Sequence, residues 1–251
     1  MNRLSYDIFT LSDIGERNEN QDYVEYFQVA GEKLLVLCDG MGGFEGGGLA
    51  SSSAAEECGR LFGLRQSESP QSFFEYAMDC MDYRISNLKG AEGQSLKAGT
   101  TIVAAMITDD CLNWLSVGDS RMYVIRNDRI NRMTRDHTVE LKSKMDYSKG
   151  LITIDEYDEQ MKDRTVLCSY LGMHGIDIYD INPEPLRLKP GDTIVIASDG
   201  LYKSLDSEGI RKIVLKNKTS KATAEALIEM AACVAKGQNQ DNTSVIVCKV
   251  M

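Results

Sequence analysis

Short apolar runs alternate along the chain with polar segments rich in glycine and aspartate. Each run is long enough for a buried β-strand and too short for a typical helix. Turn-forming pairs such as Asp109-Asp110 and Asn127-Asp128 separate the central runs, which predicts tight connections there. The predicted strands are residues 34–38, 100–108, 112–117, 121–126, 129–133, 193–198 and 244–250.

Helical periodicity appears in two pairs of segments, which the strands keep apart. Residues 70–88 place aromatic and aliphatic side chains at the spacing of an amphipathic helix. Ser204, Asp206 or Ser207 is available to cap the first helix of the second pair. This segregation predicts an α+β fold in which helices cover two packed sheets. The other predicted helices are residues 49–64, 207–217 and 221–236, and residues 140–174 form a partly helical insertion.

Composition narrows the classes of function. The 251 residues are 43% hydrophobic, which suffices for one large domain or two small ones. A formal charge of -10 repels polyphosphate, so no nucleic-acid partner is expected. The seven cysteines form no C-x-x-C pair and several lie in apolar runs, which is typical of reduced, buried thiols. With no apolar signal core and no apolar run of about 18 residues, we expect a cytoplasmic protein without a membrane segment.

Aspartates recur beside the predicted strands, either directly after an apolar run, just before one, or in the turn between two. Turn capping explains each of them singly, because aspartate is common in turns. Their repetition favours a site for hard divalent cations, whose preferred ligands are carboxylate and carbonyl oxygens. The aspartates beside predicted strands are Asp39, Asp119, Asp199 and Asp241, and Asp22 in Asn20-Gln21-Asp22 is a fifth candidate.

Seven short motifs occupy strand ends and turns between residues 12 and 243. In chain order they are Ser12-Asp13-Ile14-Gly15-Glu16-Arg17-Asn18-Glu19-Asn20-Gln21-Asp22, Asp39-Gly40-Met41-Gly42-Gly43, Gly99-Thr100-Thr101, Val117-Gly118-Asp119-Ser120-Arg121, Arg135-Asp136-His137-Thr138, Ser198-Asp199-Gly200-Leu201 and Asp241-Asn242-Thr243. In this order they resemble the metal-dependent protein phosphatases of type 2C, in their bacterial form. Each motif alone is unspecific, and the specificity comes from their number, order and placement.

The resemblance implies a four-layer α-β-β-α sandwich, with two mainly antiparallel sheets flanked by helices. Residues 1–251 would form a single catalytic domain, and residues 140–174 would be a variable flap that borders the site and contacts the protein substrate. The implied activity is hydrolysis of phosphoserine and phosphothreonine in proteins. A water activated by Mn²⁺ or Mg²⁺ would attack the phosphate in line, without a covalent intermediate.

The resemblance also implies the ligands of two cations. Asp39, Asp199 and Asp241 would ligate them, with Asp39 bridging both. The carbonyl of Gly40 and, through water, Asp22 would complete the shell of the second cation.

Further roles follow from the other motifs. Asp119 would join Asp199 at a third, weaker cation. Arg17 would hold the substrate phosphate with its guanidinium. Thr100 and Thr101 are expected to support the site rather than react.

Departures from the family pattern leave the proton donor for the leaving group open. Met41 and Phe44 stand where relatives carry histidine. His137 is the motif histidine that remains; we favour a loop-anchoring role for it, and metal-bound water is the alternative donor. A serine hydrolase with Ser120 as nucleophile and an inactive docking module are the rival hypotheses, and phosphotyrosine or small phosphate esters are alternative substrates.

The expected partners are phosphorylated proteins, made by a cognate Ser/Thr kinase, and the chain is expected to be a monomer. We expect no transmembrane extension and no added sensory domain. Regulation is therefore expected to come from partners or from metal supply.

Overall fold

The computed structural model describes residues 4–65 and 69–251, and the side chains of residues 43–45, Phe44 among them, lie outside this description. The strands, numbered along the chain, are β1 (Tyr6–Asp13), β2 (Asp22–Val29), β3 (Glu32–Met41), β4 (Gly99–Thr100), β5 (Ile102–Thr108), β6 (Cys111–Val117), β7 (Arg121–Arg126), β8 (Arg129–Arg132), β9 (Asp180–Ile181), β10 (Leu186–Arg187), β11 (Thr193–Ala197) and β12 (Thr243–Val250). They form two antiparallel sheets. One has the order β1-β12-β11-β7-β8, and the other, with seven strands, has β10-β6-β5-β3-β2 as its main path.

Helices cover the outer face of each sheet. The first helix packs on the seven-stranded sheet through β2 and β3, and the second packs on the first helix and contacts β6. The last helix packs on β1 and β12 of the other sheet. The resulting order of layers is α-β-β-α, which confirms the predicted fold class. The helices are α1 (Gly43–Leu64), α2 (Pro70–Ser86), α3 (Val139–Ser148), α4 (Ile154–Gln160), α5 (Asp199–Tyr202), α6 (Ser207–Lys216) and α7 (Ser220–Ala235).

The apolar run of β3 shows why the central strands lack polar alternation. Leu35 and Leu37 pack between the two sheets, whereas Leu34, Val36 and Cys38 pack beneath the first helix pair. Successive side chains of a strand point to opposite faces, so a strand that is buried on both faces must be apolar throughout. Burial of each such side chain stabilises the fold by roughly 1.5–3 kcal/mol.

Some predicted boundaries were wrong. Strand β3 does not end in a turn at Asp39, because it continues through Asp39 and Gly40 to Met41. Strands β1 and β2 were not predicted, since both carry alternating polar residues and are mostly half-buried. The predicted strand 100–108 is interrupted at Thr101.

The first helix begins inside the glycine-dense stretch, six residues before its predicted start. Close packing explains the glycines at that end. A Cβ on Gly47 would lie 2.4 Å from Oε1 of Gln21, and one on Gly40 would lie 2.1 Å from the carbonyl oxygen of Gly47. The helix can therefore approach β3 only because these positions lack side chains.

The segment 140–174 contains α3, α4 and a short 3₁₀ helix at Met161–Asp163. Its end is fastened to the body of the protein. The buried carboxylate of Asp82 in α2 accepts hydrogen bonds from the backbone N–H groups of Gly172, Met173 and Gly175, at 2.7, 3.1 and 2.8 Å. Leu171 is fully buried beside them.

Two expectations about the whole chain bear on its environment. Across residues 4–65 and 69–251, no helix combines the length and apolar character needed to cross a membrane. All seven cysteines are free thiols, and Cys38, Cys58 and Cys248 are buried, as their apolar context predicted.

We expect Asp82→Ala to lower the free energy of unfolding by about 1–3 kcal/mol, because three backbone donors lose a charged acceptor. Chemical denaturation would measure the change. Asp79→Ala, an exposed position on the same helix, is the matched control and should change stability by less than about 0.5 kcal/mol. Equal losses in both variants would contradict the fastening role of Asp82.

Candidate metal centre

A cavity of about 610 Å³ opens where strands of both sheets end. Its wall combines acidic side chains with two basic ones, Arg17 and Lys203. Thr165 and Leu167 reach it from the segment 140–174, as predicted for a segment that borders the site. The acidic and carbonyl groups predicted as ligands that line it are Asp39, Gly40, Asp119, Asp199 and Asp241.

Asp39 is held by its own backbone. Its N–H donates to Oγ1 of Thr101 at 3.1 Å, and its carbonyl accepts from the N–H of Thr101 and from Oγ1 of Thr100, both at 2.9 Å. Thr101 lies at the interruption between β4 and β5, and Thr100 pairs with Gly40 of β3. Thr100 and Thr101 therefore support the site, as predicted.

Asp22 stands directly opposite Asp39 in the β2–β3 pairing. It is buried, and the hydroxyl of Ser198 donates to its Oδ2 at 2.7 Å. Burial, together with the charges of Asp199 and Asp241, raises the pKa of Asp22 to about 6, against the lowering effect of the serine hydrogen bond. Asp22 therefore lies behind the cavity wall rather than on it, which suits contact with a cation through water.

Asp199 and Asp241 come from neighbouring strands of the five-stranded sheet. Asp199 follows β11 and opens α5, where the ammonium group of Lys203 forms an ion pair with Oδ2 of Asp199. Asp241 precedes β12 and accepts from Nη2 of Arg17 at 2.9 Å. The predicted phosphate-binding residue Arg17 and the predicted ligands Asp199 and Asp241 therefore meet in the cavity.

Asn242 fastens the segment that carries Arg17. Its Oδ1 accepts from the N–H of Gln21 at 2.8 Å, and its Nδ2 donates to the carbonyls of Ile14 and Glu19 at 2.9 and 3.0 Å. These contacts place the first motif beside the last, although more than 200 residues separate them in the chain.

Asp119 occupies the tight turn between β6 and β7. Gly118 adopts a φ of +101°, and a Cβ there would lie 2.6 Å from the side chain of Thr101. His137 clamps this turn, since its N–H donates to the carbonyl of Gly118 at 2.9 Å and its Nδ1 accepts from the N–H of Gly118 at 3.0 Å. The phenol of Tyr202 donates to Oδ2 of Asp119 at 3.0 Å.

The geometry of His137 agrees with the loop-anchoring role that we favoured. Its side chain is fully buried, and its Nε2 lies 3.3 Å from Oδ2 of Asp180. The imidazole is therefore enclosed between the turn and Asp180, and it does not line the cavity.

Ser120 is unsuited to act as a nucleophile. It is fully buried, and its hydroxyl forms a hydrogen bond of 2.8 Å with Oγ1 of Thr101. A serine hydrolase needs an accessible serine next to a histidine base. The geometry therefore contradicts that rival hypothesis.

The carboxylates repel one another strongly. Burial is the largest cause of the raised pKa of Asp39, which lies well above its usual range, and the charges of Asp22, Asp199, Asp119 and Asp241 add to it. Such a cluster of oxygen ligands suits a hard divalent cation, which would neutralise the repulsion.

The spacing of the acidic side chains differs from that of a closed metal site. In the described part of the chain, no three acidic, histidine or cysteine side chains are grouped tightly enough to hold a metal ion as they stand. The acidic groups surround the cavity, while Arg17 and Lys203 engage two of them. The oxygen donors nevertheless line one cavity and are of the kind that Mn²⁺ and Mg²⁺ prefer, so the donor set fits the predicted cations by its chemistry.

The sequence analysis assigned no role to Tyr202, Lys203 or Asn242. Tyr202 and Lys203 follow Asp199 by three and four positions, which in a helix places all three on one side. That spacing, directly after the Ser198-Asp199-Gly200-Leu201 motif, was the available clue.

Comparisons with known proteins agree with this geometry. The family profile "Protein phosphatase 2C" matches residues 12–241. Protein phosphatase PhpP of Streptococcus pneumoniae is 28% identical over 232 residues, which cover 90% of this chain and 91% of the relative. The serine/threonine phosphatase structure from S. agalactiae has a TM-score of 0.82 at 26% identity, covering 98% of this chain and 100% of that one. The PstP catalytic domain in complex with two manganese ions has a TM-score of 0.76 at 26% identity, covering 99% of both chains.

The chain belongs to the protein phosphatase 2C family. It is therefore a metal-dependent phosphoprotein phosphatase, and the family, fold and type of enzyme that the seven motifs predicted are confirmed.

We expect Asp39→Asn to raise the melting temperature of the protein in chelator at pH 7. Because the folded-state pKa of Asp39 is raised, its ionised form destabilises the fold at neutral pH, and this penalty disappears as the pH falls below the usual value for aspartate. Differential scanning calorimetry of the wild type and the variant would measure the two melting temperatures.

The same variant should lose the stabilisation by Mn²⁺. For the wild type, a cation at about 100 times its Kd adds about 2.7 kcal/mol, which corresponds to roughly 5–10 °C for a chain of this size. Asp158→Asn, an exposed position in α4, should behave like the wild type. A variant that gains as much from Mn²⁺ as the wild type does would contradict a ligand role for Asp39.

Proposed function

We propose that this enzyme hydrolyses phosphoserine and phosphothreonine in proteins, using two divalent cations, Mn²⁺ or Mg²⁺, held around Asp39. Asp39 would be a ligand common to both cations, and Asp199 and Asp241 would each contribute a carboxylate. The carbonyl of Gly40 and, through water, Asp22 would complete the ligands of the second cation. The convergence of these groups on one cavity, from both sheets, is the observation that carries the proposal.

When bound, the two cations supply a water of lowered pKa as the nucleophile and neutralise charge on the phosphoryl oxygens. The chain supplies the rest. Thr100 and Thr101 hold the backbone of Asp39, which would keep its carboxylate in one position for the cations. No side chain is needed as a nucleophile, which agrees with the burial of Ser120 and with in-line hydrolysis without a covalent intermediate.

Arg17 binds the substrate phosphate. One nitrogen of its guanidinium contacts Asp241, and the side chain remains 45% exposed at the cavity. The planar fork of arginine suits two phosphate oxygens at once. Contact with Asp241 therefore orients the guanidinium, while its other donors face the substrate.

A third, weaker cation belongs with Asp119 and Asp199. Both carboxylates line the cavity, and the charge of Asp199 contributes, after burial, to the raised pKa of Asp119. A cation there would relieve this repulsion. It would also lower the pKa of nearby water, and so would supply acid for the leaving alkoxide that Met41 cannot provide.

The substrate side completes the proposal. Residues 140–174 act as the flap within a single catalytic domain of residues 1–251, and contact phosphorylated proteins made by a cognate Ser/Thr kinase. The protein acts as a monomer. Its free cysteines favour a reducing compartment such as the cytoplasm.

Hydrolysis of a phosphothreonine peptide should require added Mn²⁺ or Mg²⁺ and stop after exhaustive chelation with EDTA, because the oxygen donors provide the nucleophile only through the cations. Phosphate release measures the rate. A phosphotyrosine peptide of the same sequence should react more slowly. Full activity after chelation would refute the proposal, and binding of the phosphopeptide without turnover would favour the docking module.

Arg17→Ala should raise KM and lower kcat, each by roughly tenfold, since loss of a charged hydrogen bond costs about 1.5–3 kcal/mol in all. Steady-state kinetics on the phosphothreonine peptide would separate the two effects. Arg129→Ala, an exposed arginine far along the chain in β8, is the control and should leave both constants unchanged. Wild-type kinetics in Arg17→Ala would mean that another group binds the phosphate.

A further inference from the structure

One helical turn brings two charged side chains, those of Asp199 and Lys203, to the acidic cavity. Helix α5 starts at Asp199, and Lys203 follows it by four positions, so the ammonium group of Lys203 reaches back to Oδ2 of Asp199. The side chain of Lys203 is 61% exposed, whereas that of Asp199 is 17% exposed. The ammonium group therefore lies at the mouth of the cavity, between the carboxylate and solvent.

The same turn also serves Asp119. Tyr202 donates its phenolic hydrogen to Oδ2 of Asp119 at 3.0 Å. The guanidinium of Arg121 lies 3.5 Å from the centre of the Tyr202 ring and forms two hydrogen bonds with Asp136, at 3.0 and 2.8 Å. This stack fixes the phenol, so one oxygen of Asp119 is committed and the carboxylate cannot turn away from the cavity.

The charge of Lys203 acts on both carboxylates. Asp119 and Asp199 repel each other, and Lys203 is close enough to oppose the effect of that repulsion on Asp119. Among the described residues that line the cavity, Arg17 is the other basic one, and it engages Asp241 instead. Lys203 is thus the counter-ion that this chain itself provides for the Asp119–Asp199 pair.

We propose that Lys203 is a tethered counter-ion that competes with the third divalent cation for the Asp119–Asp199 pair. This inference rests on the proposed function, since it concerns the outer cation of the same centre. At low cation supply the ammonium group neutralises the pair. At high supply a divalent cation displaces it, and the long, exposed lysine side chain withdraws into solvent. Lys203 therefore sets the cation concentration at which the outer position fills.

The size of the effect follows from Coulomb's law. The cation has to displace an ammonium group whose single charge attracts two carboxylate charges, and at about 5 Å in a water-like medium the loss of that attraction changes an affinity by roughly tenfold. Because the lysine side chain is well exposed, we use this high-dielectric value and no larger one. Removal of the ammonium group should therefore tighten the outer cation by about tenfold.

The experiment is a Mn²⁺ titration of the purified protein, with free Mn²⁺ measured by electron paramagnetic resonance. The variants are Lys203→Met, which removes the charge but keeps the chain length, and Lys203→Arg, which keeps the charge. Lys212→Met, a mostly exposed lysine in α6, is the control. We expect the weak class of sites to tighten about tenfold in Lys203→Met, and to remain near the wild-type affinity in the other two variants.

A second set of variants in an Asp119→Asn background assigns the effect to the outer position. There the gain from Lys203→Met should disappear, because the outer site has lost a ligand. Three results would overturn the inference: no change in Lys203→Met, equal tightening of all classes of sites, or a gain that persists in the Asp119→Asn background. A wild type that binds no Mn²⁺ would instead refute the proposed function, so the two failures are distinguishable.

Discussion

Mutual repulsion among the carboxylates of one cavity is the interaction that the surrounding structure has to withstand. Burial and neighbouring charge raise the pKa values of Asp22, Asp39 and Asp119 together. In a flexible chain, no local interaction would keep these carboxylates close together. Each is instead held by a separate contact, such as the serine hydroxyl on Asp22 and the phenol on Asp119. The stability of the α-β-β-α sandwich therefore holds these negative charges together, where cations can bind them.

The two sheets divide the ligands between them, and that division explains the architecture. Asp39 belongs to β3 of the seven-stranded sheet, whereas Asp199 and Asp241 flank β11 and β12 of the other. The apolar layer between the sheets therefore fixes the distance across the cavity. Asn242 then ties the first motif to the last one, which brings Arg17 to the rim. The packing of the core therefore also sets the geometry of the catalytic cavity.

The sequence predicted the parts of the fold in which burial and local periodicity agree. Strands that are buried on both faces had continuous apolar runs, and the motifs stood at their ends, so the cavity residues could be named. Strands β1 and β2, each at the edge of its own sheet, were not predicted because half-burial permits polar residues. The start of α1 was not predicted because its glycines allow a close approach to β3 that is visible only in the folded structure. The role of Lys203 was not predicted because it depends on the balance of charges between segments that lie far apart in sequence.

The most direct test of the account is the anomalous diffraction of a crystal grown with Mn²⁺. The account requires two strong manganese peaks bridged by the carboxylate of Asp39, with Asp199 and Asp241 as further ligands. At high Mn²⁺ a third, weaker peak should lie between Asp119 and Asp199, with Lys203 turned away from them. A map without bridged peaks at Asp39, or with manganese bound only at other carboxylates, would contradict the assignment of this cavity as the metal centre.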